Sequence, residues 1–148
     1  MRRNITTEIT IDATPEEVWE VLTDLPRYCV WNPFIRQADG EVAPGGRLRL
    51  TMYAASGRPT TFRPTVRICV PAAELRWSGH FLVRGLFDGE HYVRLCEGPG
   101  RTTRVEHGER FRGLLVPFVG RLLEGTARNF TAMNEALRAR VEETRAAS

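Results

Sequence analysis

Alternating apolar and polar positions dominate the first three-quarters of the chain and predict β-strands. Residues 4–12 alternate, so that one face of a strand carries Ile5, Thr7, Ile9 and Ile11. Between residues 37 and 112 the alternation continues and is broken by short turns rich in Gly and Pro, which is typical of an antiparallel meander. The strands predicted there are Arg47–Tyr53, Phe62–Val70, Leu75–Phe81, Phe87–Glu97 and Arg101–Arg112.

Two short helices are predicted between the first strand and the meander. Thr14 can cap a helix and Pro15 fits the first helical position, so that a helix spans Pro15–Thr23. A second short helix or turn follows and carries Tyr28, Trp31, Pro33, Phe34 and Ile35.

A long amphipathic helix is predicted at the C-terminus, from Leu114 to about Thr144, with Gly120 and Gly125 as interruptions. Its apolar stripe is Leu115, Val119, Leu122, Thr126, Phe130, Met133, Leu137 and Val141. Such a helix cannot bury its stripe alone and must lie across the inner face of the sheet. The sequence therefore predicts one α+β domain over residues 1–148, with a curved antiparallel sheet of about six to seven strands around this helix and a cavity between them.

Four segments carry a resemblance to a known superfamily. They are Ile9–Trp19, Tyr28–Ile35, Leu75–Trp77 and Gly108–Leu115. In this order of elements they resemble the START-like, or SRPBCC, superfamily, whose helix-grip fold is shared by polyketide cyclase/dehydrase-like proteins and the birch pollen allergen. The resemblance implies this fold over nearly the whole chain. It implies no particular activity, because the superfamily includes lipid and hormone binders, polyketide aromatases and cyclases, and co-chaperone activators.

Parity along the last two strands predicts a polar island on the inner face. The odd-numbered residues of Phe87–Glu97 and Thr103–Phe111 are mostly apolar and the even-numbered ones mostly charged, so the odd set should face inward. His91, His107 and Glu109 are exceptions within the odd set. A hairpin centred near Pro99 would place His91 opposite His107, and a symmetrical slip would move the partners by two residues without changing the faces.

Three interpretations of this island follow from its residue types. The side chains can hydrogen-bond one another and buried water, and so orient a bound ligand. A carboxyl group with a raised pKa beside a histidine also suits acid–base catalysis, which makes His91, His107 and Glu109 the candidate catalytic residues. A metal site is not predicted, because a third His or a Cys is missing from the pattern. No cofactor is expected.

The cavity is predicted to bind a small hydrophobic molecule that is lipid-like, aromatic or polyketide-like. The predicted lining is Trp31, Phe34, Trp77, His91, Val93, Val105, His107, Glu109, Phe111, Phe130 and Met133. The alternative is an enzyme of cyclase, aromatase or dehydratase type that uses a His–Glu acid–base pair. A protein-partner or co-chaperone-like module is a third hypothesis, which the pattern favours least because no long exposed apolar patch is apparent.

Composition narrows the chemistry further. All 21 basic residues are arginine, so a lysine Schiff base or a lysine general base is excluded. The arginines are interleaved with 18 acidic residues and form no basic cluster, which argues against nucleic-acid binding. Three cysteines without a Cys-x-x-Cys motif indicate reduced thiols.

The alternating segment after Met1–Asn4 is not a signal core, and no apolar run is long enough to span a bilayer. We therefore expect a cytoplasmic monomer or homodimer without membrane insertion.

Overall fold

The computed structural model describes residues 1–53, 58–80 and 83–147, in which eight strands and three α-helices form. The strands are β1 Arg2–Ile11, β2 Ile35–Gly40, β3 Leu48–Tyr53, β4 Pro59–Phe62, β5 Thr65–Val70, β6 Glu74–His80, β7 Asp88–Glu97 and β8 Thr103–Arg112. The helices are α1 Pro15–Thr23, α2 Tyr28–Trp31 and α3 Gly120–Ala146, and the 3-10 turns are Leu25–Arg27 and Val116–Phe118. This arrangement is the predicted helix-grip fold. Phe81, the predicted last residue of one strand, lies outside the described residues.

The strands form two antiparallel sheets that continue one into the other. One sheet has the order β1-β8-β7-β6-β5 and the other has the order β2-β3-β4. Backbone bonds join them, because Gly45 N–H donates to Val66 O at 2.8 Å and Leu48 N–H donates to Pro64 O at 2.9 Å. The predicted strand Phe62–Val70 is therefore two strands of different sheets. Pro64 lacks the N–H that a continuous ladder needs.

The start of α1 follows directly from its capping residues. Glu17 N–H donates to Thr14 Oγ1, and the Glu17 carboxylate accepts from Thr14 N–H, so a complete capping box closes the helix. The helix spans the predicted residues Pro15–Thr23. Tyr28, at the start of α2, is fully buried and donates its hydroxyl proton to Leu22 O. This bond holds α2 against the end of α1.

Helix α3 lies across the inner face of the five-stranded sheet. Phe130, Met133, Leu137 and Val141 are buried as the apolar periodicity predicts. The helix begins at Gly120 after a 3-10 turn and not at Leu114, so its first turn is rotated relative to the predicted stripe. Leu123 is consequently buried in place of Leu122, which is exposed. Within the described residues, no helix is long and apolar enough to cross a membrane.

The hairpin between β7 and β8 has a register two residues away from the one centred on Pro99. His91 pairs with Glu109 and Val93 pairs with His107. The loop contains five residues, with Gly100 in the left-handed conformation at φ 66°, and is therefore centred on residue 100. The predicted pairing of His91 with His107 is wrong, but the inward-facing set is unchanged because the shift is an even number of residues.

Glycine at position 108 makes room for an aromatic ring on the outer face of the sheet. Tyr92 lies opposite Gly108, and its hydroxyl group is 3.2 Å from Thr6 Oγ1. A β-carbon at Gly108 would collide with the Tyr92 hydroxyl group and with Ile5 O. The guanidinium groups of Arg76 and Arg94 lie 4.9 and 4.8 Å from the centre of the Tyr92 ring, so the ring is covered by cations. This even-numbered face is structural and does not contribute to the site described below.

Candidate functional site

Four polar side chains from four elements meet in the core beneath α3. His91 comes from β7, His107 from β8, Asn134 from α3 and Thr7 from β1. Both histidines and Asn134 are buried. The four are brought together by tertiary packing, because Asn134 is 127 residues from Thr7 along the chain. Buried polar groups of this kind must satisfy one another by hydrogen bonds.

The four side chains form a continuous hydrogen-bonded chain. His91 Nε2 lies 2.7 Å from His107 Nε2, and His107 Nδ1 lies 2.7 Å from Asn134 Oδ1. Asn134 Nδ2 donates to Thr7 Oγ1 at 2.8 Å, and Thr7 Oγ1 donates to the backbone carbonyl of His107 at 2.7 Å. We call this set the His–His–Asn–Thr chain.

The bond from Thr7 to the His107 carbonyl determines which atom donates in every other hydrogen bond of the His–His–Asn–Thr chain. A carbonyl oxygen only accepts, so the single hydroxyl proton of Thr7 is used there and Asn134 must donate to Thr7 through its amide nitrogen. The Asn134 oxygen then accepts from His107 Nδ1–H, which leaves His107 Nε2 as an acceptor. His91 must therefore donate through Nε2–H, and its Nδ1 carries a lone pair and no proton. That Nδ1 atom is buried and has no hydrogen-bond partner among the described residues.

Both histidines are neutral at physiological pH. Burial lowers the pKa of His107 to about 4, although its bond to Asn134 opposes the shift. Burial lowers the pKa of His91 well below its ordinary value, and the repulsion that a protonated His91 would meet from a protonated His107 and from Arg76 acts in the same direction. The His91–His107 pair is therefore a neutral donor–acceptor pair, and the free lone pair of His91 is a hydrogen-bond acceptor.

Glu109 stands directly opposite His91 in the β7–β8 ladder. Desolvation raises the pKa of the Glu109 carboxyl group to about 8, so the group is protonated at neutral pH. Its Oε2 atom lies over Gly89, where any β-carbon would collide with it. Glu109 keeps part of its surface accessible, and no hydrogen bond or ion pair joins its side chain to a described residue. The site thus offers the free acid proton of Glu109 and the free Nδ1 lone pair of His91 on two adjacent strands.

Aromatic rings enclose these polar groups. Trp77 stacks on His91 with 4.1 Å between ring centroids, and Phe130 stacks on His107 at 4.2 Å. Phe34 meets Phe130 edge-on at 5.9 Å. These apolar walls exclude water from the histidines, which is the physical cause of their lowered pKa values.

The core is tight at one end of α3 and looser at the other. Phe130, Met133 and Val141 are almost completely buried, whereas Val119, which precedes the helix, and Ala127 near its start are only half-buried. Phe87, Gly89 and Glu109, on the strand ends that lead towards this half, are also half-buried. The Glu109 end is therefore the end of the core that solvent reaches. Two clefts lie elsewhere on the surface of the described residues, and one of them, of about 400 Å³, is lined by Pro26, Cys29, Arg36, Gln37, Ala38, Asp39 and Arg49.

Most of the predicted lining residues face the same region of the core. Trp77, Phe34 and Phe130 contact the histidine pair directly or through one another, and Phe111 stacks on Phe87 at 5.3 Å. Val93, Val105 and Met133 are buried in the same core. Trp31, the last residue of α2, is half-buried and packs edge-on against Tyr28 of the same helix at 5.0 Å.

Sequence reasoning missed Thr7 and Asn134 as parts of the site. Asn134 follows Met133 on the buried side of α3 and lies one turn after Phe130, so a polar residue at a core position of the helix was the available signal. Thr7 was placed on the same face of the first strand as Ile5, Ile9 and Ile11 but was not assigned a partner. Among the described residues, no three His, Cys, Asp or Glu side chains are grouped as metal ligands.

Comparison with known proteins identifies the family of this chain. A family model described as polyketide cyclase/dehydrase and lipid transport matches residues 2–142, and the chain belongs to this family. No curated protein matches the sequence.

Solved structures share the fold at low sequence identity. The Zhui aromatase/cyclase from Streptomyces sp. R1128 has a TM-score of 0.78 and 20% identity, with 96% of this chain and 94% of that chain covered. A START superfamily protein from Mycobacterium smegmatis has a TM-score of 0.72 and 19% identity, with coverages of 95% and 98%. The di-domain aromatase/cyclase StfQ from the steffimycin biosynthetic pathway has a TM-score of 0.80 and 12% identity, covering 100% of this chain and 53% of that one. At these identities the likeness defines the fold.

The raised pKa of Glu109 predicts a pH-dependent cost in stability. The unfolded chain releases the Glu109 proton above the ordinary pKa of 4.5, whereas the folded protein keeps this proton up to about pH 8. The free energy of unfolding therefore falls as the pH rises through this interval. As the pH rises from 5 to 9, we expect the free energy of unfolding of Glu109→Gln to increase by about 1–2 kcal/mol relative to that of the parent protein. Urea unfolding at both pH values measures this difference.

The difference between the parent protein and Glu109→Gln reports on the Glu109 carboxyl group alone, because the histidines titrate in both proteins. Glu20→Gln on the exposed side of α1 is the matched control and should follow the parent protein at both pH values. A Glu109→Gln protein that parallels the parent over the whole pH range would show that the Glu109 carboxyl group is solvated.

Proposed function

We propose that this protein binds a small, largely apolar molecule that carries one hydroxyl group. The unpartnered Nδ1 lone pair of His91 carries this proposal, because a buried acceptor without a donor costs about 1–3 kcal/mol until a ligand supplies one. The protonated carboxyl group of Glu109, on the adjacent strand β8, offers a hydrogen bond to the same ligand group. A hydroxyl group can accept from Glu109 and donate to His91, whereas an ether or a hydrocarbon can do only one or neither.

The surroundings of the two free groups define the rest of the ligand. Trp77 and Phe130 stack on the two histidines, and the half-buried Phe87 stacks on Phe111 beyond Glu109. Burying apolar surface against these rings drives binding, while the hydroxyl group provides orientation. The family description includes lipid transport, and the solved neighbours include aromatase/cyclases, which supports a flat or extended apolar ligand.

A pair of matched probes tests this recognition. We expect 2-naphthol to bind about tenfold more tightly than 2-methoxynaphthalene, which cannot donate a hydrogen bond. The preference should disappear in His91→Phe, and His80→Phe is the matched control because His80 is exposed at the end of β6. Fluorescence titration measures both affinities. Failure of both naphthalenes to bind would contradict the binding function, and equal affinities would contradict the assigned role of His91 and Glu109.

A second candidate function is a dehydratase or cyclase-type enzyme. The observation that favours it is the protonated Glu109 facing a neutral imidazole acceptor. Glu109 would protonate a leaving hydroxyl group, which departs as water, while His91 Nδ1 takes the proton beside a carbonyl group as the double bond forms. Return of the proton from His91 to Glu109 would restore the site. His107 is unsuited to this step, because both of its ring nitrogens are already hydrogen-bonded.

Glu109→Gln separates the two functions. An amide can still donate a hydrogen bond but cannot transfer a proton. A binding protein keeps most of its affinity for 2-naphthol after this substitution and turns nothing over. An enzyme keeps its affinity for a β-hydroxy carbonyl substrate and loses turnover by at least about a hundredfold.

A further inference from the structure

Four large apolar side chains are strongly exposed on two adjoining segments. The exposed fractions are 63% for Val83, 76% for Leu114, 82% for Phe118 and 53% for Leu122. We call these four residues the apolar patch. The segments are joined at their backbones, because Leu114 N–H donates to Gly85 O at 3.2 Å. Single exposed apolar residues are ordinary, but four on joined segments indicate an interaction surface.

The charges around the apolar patch have one sign. Residues 83–87 and 112–122 contain Arg84, Arg112 and Arg121 and no Asp or Glu, and all three arginines are exposed. Of the acids that flank these segments, Asp88 accepts the Gly85 N–H with both carboxylate oxygens, at 3.0 and 3.1 Å. Glu124 follows in the next turn of α3. The surface is therefore complementary to an anionic partner.

The degree of exposure distinguishes between kinds of partner. Phe118 and Leu114 expose about four-fifths of their surface, so they stand clear of the protein and do not line a groove. A folded protein partner would need matching sockets, whereas a lipid interface deforms around protruding side chains. Protruding Leu and Phe beside Arg is the composition of segments that lie in the boundary between lipid headgroups and acyl chains.

We propose that the apolar patch docks this protein onto an anionic lipid surface. Leu114, Phe118 and Leu122 enter the headgroup boundary, and Arg84 and Arg121 pair with lipid phosphates. This docking is interfacial and requires no membrane-spanning helix. The apolar periodicity of the sequence concealed the patch, because it assigned Leu122 to the buried stripe of a helix beginning at Leu114.

The apolar patch adjoins the looser end of the core. Phe87 lies in the same segment as Val83 and stacks on Phe111, two residues beyond Glu109 on β8. Docking would therefore present the Glu109 end of the core to the lipid surface. The proposal goes beyond the function proposed above, because docking requires no ligand in the core.

Vesicle flotation tests the docking. We expect the protein to bind vesicles of phosphatidylcholine mixed with phosphatidylglycerol, and to bind less as salt screens the arginines. Leu114→Ser combined with Phe118→Ser should weaken the binding by at least about tenfold, because burial of these two apolar side chains together contributes at least that factor to a partition constant. Arg84→Gln combined with Arg121→Gln should weaken it roughly fivefold per arginine.

Two controls separate docking from folding and from ligand binding. Val70→Ser removes a side chain that is 50% exposed on β5 and should leave vesicle binding unchanged. His91→Phe, which should lose the preference for 2-naphthol, should also bind vesicles normally, so that a change in the ligand site does not imitate loss of docking. No binding to the anionic vesicles, or equal binding by the Leu114→Ser, Phe118→Ser protein, would overturn the proposal. Self-association that this double substitution abolishes, without vesicle binding, would assign the patch to a second copy and overturn it as well.

Discussion

Replacing Phe130 by alanine lowers the free energy of unfolding by about 3–5 kcal/mol, which is the usual cost of emptying a buried phenylalanine site. The Phe130 ring stacks on His107 and meets His91 and Phe34 edge-on. Its loss creates a cavity and also uncovers the histidine rings that it shields from water. Urea denaturation at neutral pH measures the change.

Phe118→Ala provides a matched control for this substitution. The same ring is removed nearby in the chain, from a position that is 82% exposed, and the expected change is within about 0.5 kcal/mol. A decrease in the free energy of unfolding of less than about 1 kcal/mol for Phe130→Ala would mean that α3 does not pack against the histidine pair. The placement of the site beneath the helix would then be wrong.

Replacing Asn134 by leucine costs about 2–3 kcal/mol, because it leaves the buried Nδ1–H of His107 without an acceptor. The same substitution removes the donor to Thr7 Oγ1. Asn129→Leu, in the same helix and half-buried, is the control and should change the stability far less. Equal losses for the two variants would show that the His–His–Asn–Thr chain does not contribute to folding.

Asn134→Asp gives a spectroscopic readout that a purely structural role would not move. A carboxylate at this position accepts from His107 Nδ1–H and stabilises the imidazolium form, so the pKa of His107 should rise from about 4 by roughly 1–3 units. Titration of the histidine ring signals by NMR measures the shift. An unchanged His107 pKa would contradict the direction assigned to the hydrogen-bonded chain.

Local chemistry made several elements predictable from the sequence. Helix α1 has its predicted bounds because Thr14, Pro15 and Glu17 define a helix start through contacts within four residues. The inward faces of β7 and β8 were predicted because side-chain direction alternates along each strand whatever its partner. His91, His107 and Glu109 were therefore placed on one inner face even though their pairing register was wrong.

Other features depend on contacts that no local pattern encodes. The register of the β7–β8 hairpin depends on the length of a five-residue loop, and the division of β4 from β5 depends on which sheet takes each strand. The first turn of α3 was misassigned because a 3-10 turn precedes it and rotates Leu123 inward. Each of these outcomes is selected by packing across the sheet.

The sequence by itself determined the fold class, the order of the elements and the presence of two histidines and a glutamate on a buried face. Alternation, helical periodicity and capping act over a few residues, so they can be interpreted without a partner. Only the tertiary structure decided that Thr7 and Asn134 join the histidines, and that Glu109 and His91 Nδ1 remain free. Those relations connect β1, β7, β8 and α3 through hydrogen bonds across as many as 127 residues, and their geometry exists only once the core has formed.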